Sequence, residues 1–209
     1  KAFYNKYHFD MEANLDFIGW TEIGGVHYRT DHDLKGHQEV SKENMLFFDE
    51  ETKEKFIPHV LELSFGVDRN FYSILNFAYF YDEKRQNIVL KLEPNLAPVK
   101  VAVFPLVKSL EFEKIAQDIF NELKKDFNAV YDKSGSIGRR YARNDEIGTL
   151  FCITIDDDSL KKKNVTVRIR DSAKQVRIKI KDLKEFLRKA IYEGEDILKF
   201  GKIVDTRKK

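Results

Sequence analysis

The sequence predicts two mixed domains, an α+β domain followed by an α/β domain built on a mixed sheet, and two observations support this division. Three of the four prolines lie between positions 94 and 105. Beyond them, apolar residues alternate between the period of a strand and that of a helix. Proline has no amide donor and restricts the residue before it, so prolines cluster where regular structure stops. We therefore place a boundary within Glu93–Pro98, between a domain of residues 1–95 and one of residues 96–209.

The charge of the chain is unevenly spread. The net charge is +2, but residues 160–209 carry 17 basic and 7 acidic side chains, whereas the preceding residues carry 20 basic and 28 acidic ones. A basic segment behind an acidic one predicts a polyanionic partner that is contacted mainly by the later part of the chain. A solvated lysine face on a helix is the alternative interpretation.

Cysteine content and hydropathy bear on the compartment. The single cysteine, Cys152, lies in the apolar run 150–155, which excludes a disulfide within one chain and predicts a residue that fills the core. No apolar stretch reaches transmembrane length and no signal peptide is visible in the sequence. We therefore expect a cytoplasmic protein without a membrane partner. The chain begins at Lys1 rather than at methionine, which suggests a fragment of a longer protein.

The first domain is the harder part to assign, because residues 1–18 mix aromatic and charged side chains without a clean period. The elements predicted here are a strand pair over 19–29 that turns at Gly24-Gly25, an exposed acidic connection over 36–55 with a helical turn at 49–56, a strand that ends before Gly66, a helix that continues to Tyr81, and a strand at Ile88–Leu92.

The second domain alternates regularly between strands and helices. The elements predicted here are a strand over 99–103, a helix over 111–127, a strand over 129–131, a helix from Ser136 to Gly148, a hairpin of 149–156 with 165–170, a strand over 176–180 and a helix over 183–191. The helix over 111–127 has the strongest apolar period of the chain. Acidic residues lie in its first turn, as the helix dipole favours.

The stretch His59–Phe71 carries the clearest chemical pattern. A strand becomes a helix, with Gly66 at the junction and Arg69 just beyond it. Glycine at such a junction lets the backbone approach a ligand, and the arginine directs a cation toward an anion. The alternative is an ordinary strand–turn–helix in which Arg69 pairs with Asp68 or another neighbour.

Three stretches together resemble one family. The residues that carry the resemblance are Gly19, Trp20, Glu22, Gly25, Arg29, Asp33, Leu34 and His37 in the first stretch, Glu62, Ser64, Gly66 and Arg69 in the second, and Ser134–Ile147 in the third. They resemble the C-terminal half of a class II glycyl-tRNA synthetase of the α2 archaeal or eukaryotic type. Leu63 departs from the family, since many members have proline there. Nothing in the chain is similar to the first two class motifs.

The resemblance implies a fold and an activity. It implies part of the antiparallel-sheet catalytic domain, with the third class motif at 59–71, followed by an α/β mixed-sheet anticodon-binding domain. The reaction would be the ATP-dependent activation of glycine and its transfer to tRNA(Gly), with Mg²⁺, without a prosthetic group, and by a homodimer in the full-length protein. We expect this chain alone to be inactive, because the first two motifs are missing.

The resemblance also implies the residues of the site. Glu62 and Arg69 would be catalytic. ATP would be bound by Glu22, Ile23, Gly66, Val67, Asp68 and Arg69, with Glu22 also a ligand of Mg²⁺. Glycine would be bound by Glu62, Leu63, Ser64, Phe65 and Gly66. The anticodon would be bound by Arg139, Arg140, Arg143 and Glu146.

Residue chemistry supports the anticodon assignment in part. The spacing of the three arginines predicts that they share one side of a helix capped by Ser136, where they would contact phosphates and bases, and Glu146 would accept from a cytosine amine. A solvated basic helix is the alternative.

Other functions remain as rivals. One is a non-catalytic accessory subunit that keeps the fold and the nucleic-acid surface, and another is a class II synthetase for a different amino acid. The sequence shows no nucleophile triad, no P-loop and no zinc-like cluster of histidine and cysteine. His27, His32 and His37 are interpreted as ordinary hydrogen-bonded histidines.

Overall fold

A computed structural model describes residues 3–204. The chain divides into two compact units, residues 1–76 and residues 77–209, and each is described by itself. This division falls before the boundary expected from the prolines, which stays a prediction as a domain limit.

The first unit is built on a three-stranded antiparallel sheet in the order β1-β2-β5. Its elements are β1 (Tyr7–Leu15), β2 (Gly19–Thr30), α1 (His32–Ser41), β3 (Phe47–Phe48), β4 (Lys55–Phe56), β5 (Val60–Phe65) and α2 (Val67–Ala78), whose last two residues fall in the second unit. The segment that showed no period in the sequence is therefore largely strand β1. Most of its side chains are exposed or half-buried. The strand therefore lacks the alternation of apolar and polar residues that identifies a strand in sequence.

The predicted turn at Gly24-Gly25 is wrong, because both glycines lie inside the continuous strand β2. The chain instead reverses between β1 and β2, where Phe17 and Gly19 have φ values of 68° and 80°. The two glycines leave space for neighbouring rings. A Cβ on Gly24 would lie 2.6 Å from the ring of Phe65, and one on Gly25 would lie 2.5 Å from His27 Nε2.

The acidic stretch after β2 also differs from the prediction. Part of it is helix α1, which has no buried residue, so it lacks the apolar period that identifies a helix in sequence. The helical turn expected over 49–56 is limited to one turn, in which the amide of Lys53 donates to the backbone oxygen of Asp49 at 2.8 Å. That region holds the short hairpin of β3 and β4, in which the rings of Phe47 and Phe56 lie 5.7 Å apart.

The second unit contains a six-stranded mixed sheet in the order β13-β12-β11-β10-β8-β9. Its elements are β6 (Tyr79–Asp82), β7 (Asn87–Leu90), β8 (Val101–Pro105), α3 (Leu110–Leu123), β9 (Ala129–Tyr131), α4 (Ile137–Glu146), β10 (Phe151–Ile155), α5 (Asp157–Lys162), β11 (Asn164–Ile169), β12 (Gln175–Lys179), α6 (Ile180–Tyr192), a 3-10 turn (Ile197–Phe200) and β13 (Lys202–Val204). Strand β8 pairs in parallel with β9 and β10, and the remaining pairs are antiparallel. The predicted mixed sheet is confirmed.

Strand β8 divides the core of this unit between the two faces of the sheet. Val101 and Val103 join the large apolar cluster that includes the buried sides of α3 and α6. Ala102 and Phe104 point the other way and pack with Cys152 against α4. The predicted role of Cys152 as core filler is confirmed, and its burial raises the pKa of the thiol to about 12.

Helix α2 ends earlier than predicted. The sequence pattern extends it to Tyr81, but Tyr79–Asp82 is strand β6, which pairs with β7. Asp82 accepts hydrogen bonds from the amides of Lys84 and Arg85 through its side chain, a local turn that reverses the chain. Across residues 3–204, no helix has both the length and the apolar content that crossing a membrane requires.

Candidate functional site

The sheet of the first unit separates the predicted glycine-binding residues into two sets. His8, His27 and Glu62 pair across β1, β2 and β5, and the next set of partners on the same face is Asp10, Gly25 and Ser64. Successive side chains of a strand point to opposite faces, so Leu63 and Phe65 lie on the other face. The structure therefore brings Glu62 and Ser64 together and does not place Leu63 or Phe65 with them. The polar face is defined here by His8, Asp10, His27, Glu62 and Ser64.

Glu62 belongs to a charged network on the polar face. Arg29 donates a short hydrogen bond to Glu62 through Nη1 and two more to Asp33, at 2.6 and 2.7 Å. The bonds to Asp33 hold the pKa of Arg29 above its ordinary value and lower the pKa of Asp33. Because two carboxylates share one guanidinium, the trio keeps a net negative charge. That charge suits a cationic ligand such as an ammonium group.

The predicted ATP-binding residues meet at the start of α2. Arg69 Nη1 donates to the backbone oxygen of Glu22 at 2.9 Å, and Asn70 Nδ2 donates to that of Ile23 at 2.6 Å. Gly66 immediately precedes the helix, whose first residues, Val67 and Asp68, are exposed. The helix N-terminus and an exposed arginine together favour an anion. Arg69 thus contacts the backbone of β2 rather than forming the ion pair with Asp68 that the alternative interpretation expected.

Helix α4 places its three arginines differently from the prediction. Ser136 accepts from the amide of Arg139, so the predicted cap is confirmed. Arg139, Arg143 and Glu146 are exposed, and Arg143 donates to Asp132 at 2.5 Å. Arg140 is 3% exposed. The shared arginine face is therefore wrong for Arg140.

The contacts of Arg140 explain its burial. Its Nη1 donates to the backbone oxygen of Pro105 at 2.6 Å, and its Nη2 donates to that of Leu106 at 3.3 Å. These carbonyl groups lie where β8 ends, so the guanidinium supplies donors that the sheet no longer provides. Burial lowers the pKa of Arg140. Its position indicates a structural role, which sequence spacing does not distinguish from a ligand contact.

A second buried charge, Asp145, was missed by sequence reasoning. Asp145 accepts from both terminal nitrogens of Arg168, at 2.7 and 2.8 Å, and Arg85 lies 3.4 Å away. The exposed fractions of the two main partners are 2% for Asp145 and 7% for Arg168. They stand far apart in the chain, so no local pattern identifies the pair.

The first comparison with known proteins concerns the second unit. A family model described as an anticodon binding domain matches residues 100–190. The match begins just before β8 and ends within α6, so it includes α4 and the buried pair of Asp145 and Arg168.

The similarity to curated proteins extends over most of the chain. The glycine–tRNA ligase of Clostridium acetobutylicum is 47% identical over 193 residues, which cover 91% of this chain and 41% of that protein. The glycine–tRNA ligase of Caldanaerobacter subterraneus subsp. tengcongensis is 49% identical over 180 residues, 85% of this chain and 38% of that protein. That of Thermobifida fusca is 44% identical over 193 residues, with 88% and 42% covered.

These similarities confirm the resemblance to glycyl-tRNA synthetases, including the anticodon-binding domain. The chain spans about two fifths of the length of the curated relatives it matches. The α2 archaeal or eukaryotic type stays a prediction, as do the individual site residues.

Proposed function

We propose that this chain is part of a glycine–tRNA ligase. The observation that supports this most strongly is its identity of 44–49% to glycine–tRNA ligases over 85–91% of its length. In this proposal the first unit contributes to the site that forms glycyl-adenylate, and the anticodon-binding domain binds tRNA(Gly). ATP, glycine and tRNA(Gly) are the substrates, and the full-length protein acts as a cytoplasmic homodimer.

The proposed reaction needs no covalent nucleophile from the protein. The carboxylate of glycine attacks the α-phosphorus of ATP, and the bond to pyrophosphate breaks. A ribose hydroxyl of the terminal adenosine of tRNA then attacks the glycyl carbonyl, and AMP leaves. Catalysis of such transfers depends on orientation and on stabilising charge at the phosphates. Arg69 suits the second task, because it is exposed at a helix N-terminus beside Glu22 and Ile23.

Glu22 is the residue of this chain that would hold Mg²⁺. Its carboxylate is exposed, and its backbone oxygen accepts from Arg69. This fits a metal that is usually bound by one or two carboxylates together with substrate phosphates. When bound, Mg²⁺ neutralises phosphate charge, while Arg69 and the amides at the start of α2 orient the same group.

The polar face would select glycine. Glu62 carries charge for the ammonium group, and Ser64 lies beside it on the same face. Across from Ser64, the ring of His27 fills the space above Gly25. A site for glycine must exclude larger side chains, since glycine offers no side chain to contact.

The Glu62→Gln substitution tests the glycine assignment. The assay uses a chimaera in which this chain replaces the matching segment of the Clostridium acetobutylicum ligase. We expect the glycine KM in ATP–pyrophosphate exchange to rise about tenfold or more, because a charge facing an ammonium is lost. The ATP KM should change little. Ser64→Ala is the milder control and should allow some use of alanine. Equal rises in both KM values for Glu62→Gln would mean that Glu62 is structural.

Binding of an anticodon stem-loop tests the second unit in the 209-residue chain itself. We expect weak binding of the tRNA(Gly) stem-loop, with an affinity that falls as salt rises from about 50 to 200 mM, because phosphate contacts release counterions. A loop in which both anticodon cytosines are replaced should bind less tightly. Equal affinity for the two loops would remove the base-reading part of the proposal.

Arg139 and Arg140 provide a matched pair for that assay. Arg139→Ala should weaken stem-loop binding by roughly 1–3 kcal/mol and leave stability nearly unchanged. Arg140→Ala should lower the free energy of unfolding by about 1–3 kcal/mol, because buried carbonyl groups lose their donors. The folded fraction of Arg140→Ala should still bind the stem-loop. Urea unfolding and fluorescence anisotropy measure the two effects. Loss of binding in fully folded Arg140→Ala protein would assign Arg140 to the interface.

The accessory-subunit alternative predicts the same stem-loop binding. It differs in the catalytic assay, because a non-catalytic protein has no requirement for Glu62 or Arg69. Both residues are present here, which favours the ligase. An inactive chimaera that folds and still binds the stem-loop would favour the accessory subunit.

A further inference from the structure

Three side chains of the polar face make no bond to a substrate in the proposed ligase reaction, although the ring of one of them, His27, fills space beside the glycine site. They are His8, Asp10 and His27. His8 Nε2 lies 2.9 Å from one oxygen of Asp10, and His27 Nε2 lies 3.5 Å from the other. One ligand atom from each residue can be chosen so that all three lie within 4.8 Å of one another. Two imidazole rings and one carboxylate therefore lie close together.

The pairing of β1 with β2 creates this cluster from residues distant in sequence. His8 is the partner of His27, and Asp10 is the partner of Gly25. Gly25 has no side chain, which leaves room for the His27 ring to lie over it toward Asp10. A Cβ at Gly25 would lie 2.5 Å from His27 Nε2 and 2.9 Å from its Cε1. The two imidazole rings stack 4.2 Å apart at an angle of 7°.

The outer nitrogens of both rings face polar side chains. The amide nitrogen of Asn5 lies 2.9 Å from His8 Nδ1. The amide oxygen of Asn5 is buried without a hydrogen-bond partner in residues 3–204. Rotating this amide by half a turn places its oxygen on His8 Nδ1, which then carries the proton and leaves the lone pair of Nε2 directed at Asp10. On the other ring, His27 Nδ1 lies 3.8 Å from a Glu62 oxygen.

We propose that His8, Asp10 and His27 bind a divalent transition-metal ion of the Zn²⁺ class. The ligand atoms are Nε2 of each histidine and the carboxylate of Asp10, with water completing the shell. Asn5 contacts the outer nitrogen of His8, and Glu62 lies 3.8 Å from that of His27. These are the positions that partners behind metal-bound histidines commonly occupy. Imidazole ligands suit Zn²⁺, whereas Mg²⁺ prefers oxygen ligands. The site is therefore distinct in chemistry from the Mg²⁺ position proposed at Glu22.

Binding requires a small movement of the rings. Metal bonds to nitrogen and oxygen are about 2.0–2.2 Å long, which brings ligand atoms of a tetrahedral site to roughly 3.5 Å from each other. The distance of 3.5 Å between His27 and Asp10 already matches this spacing, and the distance of 2.9 Å between His8 and Asp10 must lengthen. The two stacked rings rotate out of parallel so that their Nε2 lone pairs converge on the ion. Both rings that move belong to half-buried side chains, and Asp10 is exposed.

The experiment uses the 209-residue chain without a histidine tag. Zn²⁺ is titrated in competition with a chromophoric chelator, and Co²⁺ is added separately to record its visible absorption. We expect saturation at one ion per chain and the intense absorption of low-coordinate Co²⁺. A large excess of Mg²⁺ should leave Zn²⁺ binding unchanged. His8→Ala and His27→Ala should each lose the tight site. Glu62→Gln should weaken binding by about 10-fold to 100-fold.

Two further variants separate a built site from general histidine binding. His37→Ala removes a histidine of α1 outside the cluster and should bind like the parent chain. Gly25→Ala keeps every ligand but fills the space under the His27 ring, and should weaken binding. If His8→Ala fails to fold, His8→Gln replaces it. Unchanged binding in the folded His8 and His27 variants, an equal loss in His37→Ala, or displacement of Zn²⁺ by Mg²⁺ would each overturn the proposal.

Discussion

Replacing Arg69 by alanine in the chimaera should lower glycine-dependent ATP–pyrophosphate exchange by two or more orders of magnitude. The guanidinium is exposed at the start of α2, where it donates to the backbone oxygen of Glu22. That bond holds the guanidinium at the place where the phosphates are expected to bind. A charged contact to a transition-state phosphate in a closed site contributes about 3–4 kcal/mol, which corresponds to this loss of rate.

The same substitution should have little effect on stability. Arg69 is exposed, and the truncated side chain leaves no buried group without a partner, so we expect a change in unfolding free energy within about 0.5 kcal/mol. Arg69→Lys keeps the charge but loses the planar fork, and should fall between the parent and Arg69→Ala. Near-normal exchange with Arg69→Ala would remove the ATP assignment, and a large loss of stability would make Arg69 structural.

The second large effect is expected at Asp145. Asp145→Ala should destabilise the 209-residue chain by about 3–5 kcal/mol, because it leaves the buried guanidinium of Arg168 without its carboxylate. Arg85 keeps other partners, since it also donates to the backbone oxygens of Arg170 and Asp171. Urea unfolding followed by circular dichroism measures the change.

Two controls make this prediction sharp. Glu146→Ala changes the adjacent, exposed acid of α4 and should cost less than about 0.5 kcal/mol. The double substitution Asp145→Leu with Arg168→Met removes both charges and should be less destabilising than Asp145→Ala alone, because no buried charge stays unpaired. Equal stability of Asp145→Ala and Glu146→Ala would show that the pair contributes nothing.

The elements that could be predicted from sequence are those that bury a regular set of apolar side chains. The helix α3 and the strand β8 follow apolar periods, and the structure places their apolar residues in the core. Helix α1 could not be predicted in this way, because it buries no residue. The glycines of β2 were misread for a related reason. A glycine in the sequence shows that a side chain is absent. It does not show whether a turn or a neighbouring ring is the reason.

The candidate site was predictable where its residues are close in sequence. Glu62, Ser64 and Arg69 lie within one strand–helix junction, and the structure keeps that arrangement. The pairing of His8 with His27 depends on strand register, which the sequence alone did not reveal. Arg140 shows the opposite failure. Its spacing matches that of a ligand-binding residue, yet its guanidinium donates to backbone oxygens at the end of β8.

The position of Cys152 gives the second unit a built-in reporter of its own opening. The thiol is 1% exposed and lies in strand β10 beneath α4. Its folded-state pKa of about 12 exceeds the unfolded value of about 8.5. The fold has the full benefit of the neutral thiol below the pKa of the unfolded chain. It loses this contribution to stability as pH rises toward the folded-state pKa, because only the unfolded chain ionises in that range. Because the chain has one cysteine, the rate at which a thiol reagent labels it near neutral pH measures how often sheet and helix separate.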